Sequence, residues 1–129
     1  MNYYFSKKLS NTSFEQALEK VADVLKTKGF GILTEIDVQA TMKKKLDKDL
    51  RPYKILGACN PSFAFQALQA ENKIGTMLPC NVIVHELEDG SVEVSAVDPK
   101  ASMQAVENPN LEQIAAEVQE QLRAVIDQL

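Results

Sequence analysis

The segment TMLPCNVIVHELEDGSVEVSAVDP constrains the fold of this chain more than any other. Asp89-Gly90 supplies residues that tolerate positive φ, and an alternating run rich in β-branched residues lies on either side of it. That pattern predicts an antiparallel hairpin. Because strand side chains alternate between faces, Val82 and Val84 are expected to share one face with Val92, Val94 and Ala96. An apolar sheet face needs a cover, and the C-terminal NLEQIAAEVQEQLRAVIDQL provides one. Its Leu111, Ile114, Ala115, Val118, Leu122, Val125, Ile126 and Leu129 form a single stripe at helical spacing.

The remaining elements follow from similar patterns. NYYFSKKL reads as a first strand, and Phe14, Ala17, Leu18, Val21 and Leu25 mark a helix that Thr12 and Glu15 would open as a capping box and Gly29 would close. FGILTEIDV alternates as a strand, with Phe30, Ile32, Thr34, Ile36 and Val38 on one side and Leu33 and Glu35 on the other. Asp37 is positioned to cap a short helix containing Met42 and Leu46. YKILGAC is apolar on both sides, as an internal strand would be. Asn60-Pro61 then opens a helix to about Ala70: the amide side chain caps an unpaired N–H, and proline at the first helical position loses no bond. The order is β-α-β-(α)-β-α-β-β-α, an α+β domain with a mainly antiparallel sheet and helices on one face. Leu33, Ile83, Leu87 and Val97 would leave the other face partly apolar, which suggests a two-fold homodimer.

With 129 residues, 45% hydrophobic and 25% charged, the chain has the size and balance of one soluble domain, residues 1–129. No stretch is apolar enough to cross a bilayer and the N-terminus is not signal-like, so no membrane partner and a cytoplasmic location are expected. The two cysteines are then reduced thiols rather than a staple. A net charge of -4 argues against nucleic-acid binding. Lys43, Lys44, Lys45, Lys48, Arg51 and Lys54 form the main basic concentration, interrupted by Asp47 and Asp49. It reads as a solvated helix and loop, with docking on an acidic partner as the sharper alternative.

Chemistry-bearing residues are few. Cys59 stands at a strand end directly before a helix N-terminus, where the helix dipole favours thiolate. The same position suits a small buried side chain, and both readings stay open. Cys80 shares the face of Val82 and Val84, so packing is its expected role. His85 is an odd number of residues from Cys80 and leaves the opposite face, which removes a shared metal site. Asp98-Pro99 reads as a turn aspartate before a rigid proline. No phosphate loop, nucleophile elbow, dinucleotide fingerprint or zinc-protease helix is present, so no catalytic residue, metal or cofactor is assigned.

GFGILTEIDVQATMKKKL, RPYKILGACNPSFAFQALQAENKIGTMLPCNVIV and VSAVDP, in this order and spacing, resemble the bacterial and archaeal family known as domain of unknown function 302. The resemblance covers nearly the whole chain. It implies an α+β fold similar in architecture to the TATA-binding-protein-like class, and a compact homodimer; it carries no reaction or cofactor and does not imply DNA binding. Its motif residues here are Gly57, Cys59, Asn60, Pro61, Leu78, Pro79, Cys80 and Asn81. Relatives often carry a basic residue near Gln66, so the resemblance does not extend to an anion-binding role for that helix.

The expected function is a small ligand- or partner-binding domain whose cleft lies where Cys59-Asn60-Pro61 meets Pro79-Cys80-Asn81. There Asn60, Asn81 and the helix N-terminus would suit a small anion. A thiol-based enzyme or redox sensor using Cys59 is the alternative, and whether the chain is an enzyme stays open at this point.

Overall fold

The computed structural model describes residues 2–129. Strand β1 (Tyr4–Leu9) is followed by α1 (Phe14–Thr27), β2 (Gly31–Asp37), α2 (Val38–Leu46), β3 (Tyr53–Cys59) and α3 (Pro61–Ala70). A 3-10 turn (Asn72–Met77) leads to the hairpin β4 (Cys80–Glu86) and β5 (Val92–Val97), then to a short α4 (Pro99–Ser102) and the long α5 (Pro109–Asp127). The strands form one antiparallel sheet in the order β1-β5-β4-β3-β2. The α+β class and the expected element order are both present.

The hairpin register sets Val82 opposite Ala96 and Val84 opposite Val94, all fully buried. Gly90 alone in the turn takes positive φ, at 86°, and its N–H bonds to the Leu87 carbonyl; the connection is a turn closed by a left-handed glycine, one residue longer than a two-residue loop. The valine face packs against Ala17, Val21 and Leu25 of α1 and Val118, Leu122, Val125 and Ile126 of α5. Every residue of the C-terminal stripe is buried except Ile114, which is half-buried. Lys7 Nζ, on the first strand, donates to the carbonyls of Asp127 (3.2 Å) and Leu129 (2.6 Å), tying β1 to the negative end of α5.

Local corrections have local causes. The capping box of α1 is Ser13 with Gln16, one residue after the expected pair: Gln16 N–H donates to Ser13 Oγ at 3.1 Å, and Ser13 N–H to Gln16 Oε1 at 2.9 Å. Thr12 Oγ1 instead donates to the Ser10 carbonyl at 2.9 Å, leaving Ser13 to open the helix. Strand β2 carries an irregularity between Ile32 and Thr34, so the expected alternation is broken there. Ile32 lies opposite core residue Ala58, whereas Thr34 lies opposite Gly57 and Ile36 opposite Ile55 on the uncovered face. Glu35 consequently turns to the helix side, where Lys54 Nζ reaches it at 2.6 Å. Val38 belongs to α2, because Asp37 caps that helix through the Ala40 N–H at 2.9 Å. Phe63, Ala64, Phe65, Ala67 and Leu68 suggest a broad buried face for α3; instead only Ala67 is fully buried and Phe65 and Leu68 face out, since the helix packs through one narrow side.

Candidate functional site

The two halves of the signature meet through the β3–β4 register, in which Gly57 pairs with Asn81 and Ala58 with Cys80. Gly57 owes its identity to crowding. A Cβ there would lie 2.7 Å from Pro79 Cγ and would strike Thr34 Oγ1 on the other neighbouring strand. Asn60 is the N-cap of α3, its Oδ1 accepting from the Phe63 N–H at 3.4 Å while its Nδ2 donates to the Lys28 carbonyl at 3.3 Å. One side chain thus fastens the start of α3 to the end of α1. Asn108 plays the matching role for α5, capping Asn110 and Leu111 and donating to the Ala70 carbonyl at 2.7 Å. Asn108-Pro109 repeats the dipeptide of Asn60-Pro61, a sequence signal that the motif reading passed over.

Replacing Asn60 with alanine is expected to cost about 0.5–2 kcal/mol as a lost cap. The Lys28 carbonyl also loses its donor, so chemical denaturation should place the loss toward the upper end of that range, whereas Asn60→Asp should restore the cap alone.

Between α3, α4, α5 and the ends of β3 and β4 lies a hollow of about 40 Å³, open to solvent on one side. Cys59, Asn60, Pro79 and Cys80 border it, and Phe63, Met103, Ile114 and Val118 supply much of its apolar wall. At roughly 10–15 Å³ per enclosed water, it has room for a few small groups. Asn60 is already engaged by two backbone partners, and the lining is otherwise almost entirely hydrocarbon. Asn81, by contrast, is exposed and lies on the opposite, uncovered sheet face, so the two asparagines do not converge. The expected anion cleft is therefore replaced by an apolar hollow.

The two thiols differ in setting. Cys59 is half-buried and Cys80 buried, and both are free. Burial, with a smaller contribution from Cys59, pushes the Cys80 thiol up to about 11. Because the folded state holds this proton more tightly than the unfolded chain, its contribution to stability is complete below pH 9.0 and is lost as pH rises toward 11. Thiol labelling at neutral pH should leave Cys80 unmodified until the protein unfolds, and Cys80→Ala should flatten the alkaline loss of stability.

Other expected residues are accounted for structurally. His85 Nε2 lies 3.1 Å from Glu93 Oε1 on the uncovered face, away from Cys80. Asp98 caps α4 through the Lys100 N–H and accepts from Gln119 Nε2 at 3.0 and 3.1 Å. Lys43 is engaged by Asp47 at 2.9 Å and Asp49 at 3.3 Å, which divides the basic concentration. Among the described residues no group of three or more His, Cys, Asp or Glu could hold a metal ion, and no helix is long and apolar enough to cross a membrane. The far wall of the hollow, from Pro99 to Val118, lies outside the signature; only the packing of α4 and α5 brings it there.

Comparison with known proteins agrees with this frame. No curated protein matches the chain. Among solved structures, the crystal structure of an uncharacterized conserved DUF302 protein from Bacillus stearothermophilus is similar with a TM-score of 0.91 and 27% identity, covering 98% of each chain. The model of the family described as domain of unknown function DUF302 matches residues 5–129. With that match over almost its full length, the chain belongs to the DUF302 family.

Proposed function

We propose that this chain is a non-enzymatic, cytoplasmic binding domain that takes the short aliphatic end of a small molecule into the hollow at its signature seam. One observation carries the reading: Cys59 and Asn60 from one motif, and Pro79 and Cys80 from the other, border a single apolar hollow that opens to solvent. Apolar concavities with few polar groups are the usual form of small-ligand sites. A thiol mechanism has less support, because Cys80 is buried and protonated at neutral pH and gives Cys59 no second thiolate.

The test uses 1-butanol and 1-pentanol as probes, followed by methyl NMR. Shifts are expected at Ala58, Ala67, Met103, Ile114 and Val118, and Ala64→Phe, at a half-buried wall position, should abolish them. Shifts that survive Ala64→Phe, or that spread evenly over the surface, would refute the reading.

The domain acts as a homodimer in this proposal. All seven residues of edge strand β2 are exposed, Ile32, Leu33 and Ile36 among them. An edge strand with free backbone groups and apolar side chains suits pairing with the same strand of a second copy. Sedimentation velocity should give a dimer that Leu33→Glu dissociates; a monomeric parent chain would remove this part of the proposal.

A further inference from the structure

The uncovered sheet face carries a second concavity, of about 390 Å³, on the opposite side of the sheet from the apolar hollow. Cross-strand register explains how it is built. Tyr53 lies opposite His85, which lies opposite Glu93; one row away, Ile83 lies opposite Ser95. Ile83 and Ser95 form the floor, and Tyr4 and Tyr53 rise from flanking strands as walls. The Tyr53 and His85 rings are 5.2 Å apart and tilted by 41°, and Tyr3 meets Tyr4 edge-on at 5.0 Å.

Ser95 is buried, only 7% exposed, and its hydroxyl has no hydrogen-bond partner among the described residues. It is not a sealed, unsatisfied group, so it opens onto the groove that it lines. A hydroxyl that reaches solvent without a protein partner keeps both its donor and its acceptor free for whatever enters the groove. Nearby, Asn81 presents an exposed amide with no protein partner among the described residues. Glu93 Oε1 lies 3.1 Å from His85 Nε2, and the carboxylate keeps further acceptor capacity on its second oxygen.

We propose that this groove is a ligand site for a flat, neutral heteroaromatic ring bearing an amino group. Tyrosine walls and an isoleucine floor suit a flat ring, as aromatic side chains pair best with offset or edge-on rings. The Glu93 carboxylate accepts from the ligand's amino group, while Ser95 and Asn81 meet ring nitrogens or a carbonyl. A carboxylate at one end disfavours anionic rings, and the volume falls within the range usual for small-molecule sites.

The experiment titrates the full chain with adenine, with benzoate and cyclohexylamine as controls, following backbone amides by NMR. Adenine is expected to shift the amides of Asn81, Ile83, His85 and Ser95 and to leave the signature hollow unchanged. Glu93→Gln should weaken binding roughly tenfold or more, the range of a charged hydrogen bond, and Ser95→Ala by roughly threefold to tenfold. Asn81→Ala, at an exposed position that leaves folding intact, should also weaken it. Equal binding of benzoate, binding of cyclohexylamine in place of adenine, or shifts confined to the hollow would overturn the proposal. So would silence toward adenine at millimolar concentration, or a concentration-dependent dimer that Tyr53→Glu dissociates, since a second copy would then occupy the face.

Discussion

Truncating Leu122 to alanine is expected to remove about 2–5 kcal/mol of stability, the cost of deleting a large core side chain and leaving a cavity. Leu122 lies in the C-terminal half of α5, is fully buried, and belongs to the cluster that joins α1 and α5 to the sheet. Since single domains are stable by only about 5–15 kcal/mol, this one change should consume a large share of the total. Chemical denaturation would check it. Leu68→Ala, on an exposed side of α3, should stay within about 0.5 kcal/mol as a surface change. A Leu122→Ala loss no larger than that of Leu68→Ala would mean that α5 is not packed as described.

Gly57→Ala is expected to destabilise by about 1–3 kcal/mol through overpacking, although alanine is normally a mild replacement for glycine in a strand. The added methyl would lie 2.7 Å from Pro79 Cγ and would also strike Thr34. Threonine can turn its hydroxyl away, but the proline ring is held by its own backbone, so β4 must shift relative to β3. Pro79→Ala should therefore rescue Gly57→Ala in a double-mutant cycle, with a coupling of about 0.5–3 kcal/mol as for residues in direct contact. Thr34→Ala should rescue less. Because Pro79 and Ala58 both border the hollow, the single variant should also lose the alcohol-dependent methyl shifts.

Much of the fold is legible in the order of the residues. The hairpin, the buried stripe of α5 and the Asn60-Pro61 start of α3 each rest on a local rule: strand alternation, helical period, or a capping side chain followed by proline. Those rules act over a few residues and are written in the order of the chain. Strand β2 departed from its pattern because a bulge at Leu33 reverses the side chains after it, and no residue there announces a bulge. The cap of α1 moved by one residue because Thr12 and Ser13 are equally able to open a helix.

The candidate site was legible only in half. Its signature residues were visible as two motifs, and strand pairing does bring Ala58 beside Cys80 and Gly57 beside Asn81. Their chemistry was decided elsewhere. The α1 terminus occupies Asn60, strand parity turns Asn81 to the other face, and burial silences Cys80. Met103, Ile114 and Val118, from a separate part of the chain, make the hollow apolar. Apart from Asn81, the groove of Tyr53, Glu93 and Ser95 lies outside the signature residues, because it is assembled across strands rather than along the chain.

From its residues alone the chain determined which segments become strands and helices and which face of each is apolar, since both follow from short-range periodicity and capping. Tertiary packing decided which side chains are left without partners, and hence where a ligand could bind. That depends on contacts between residues far apart in the chain, whose satisfaction or neglect no local pattern records.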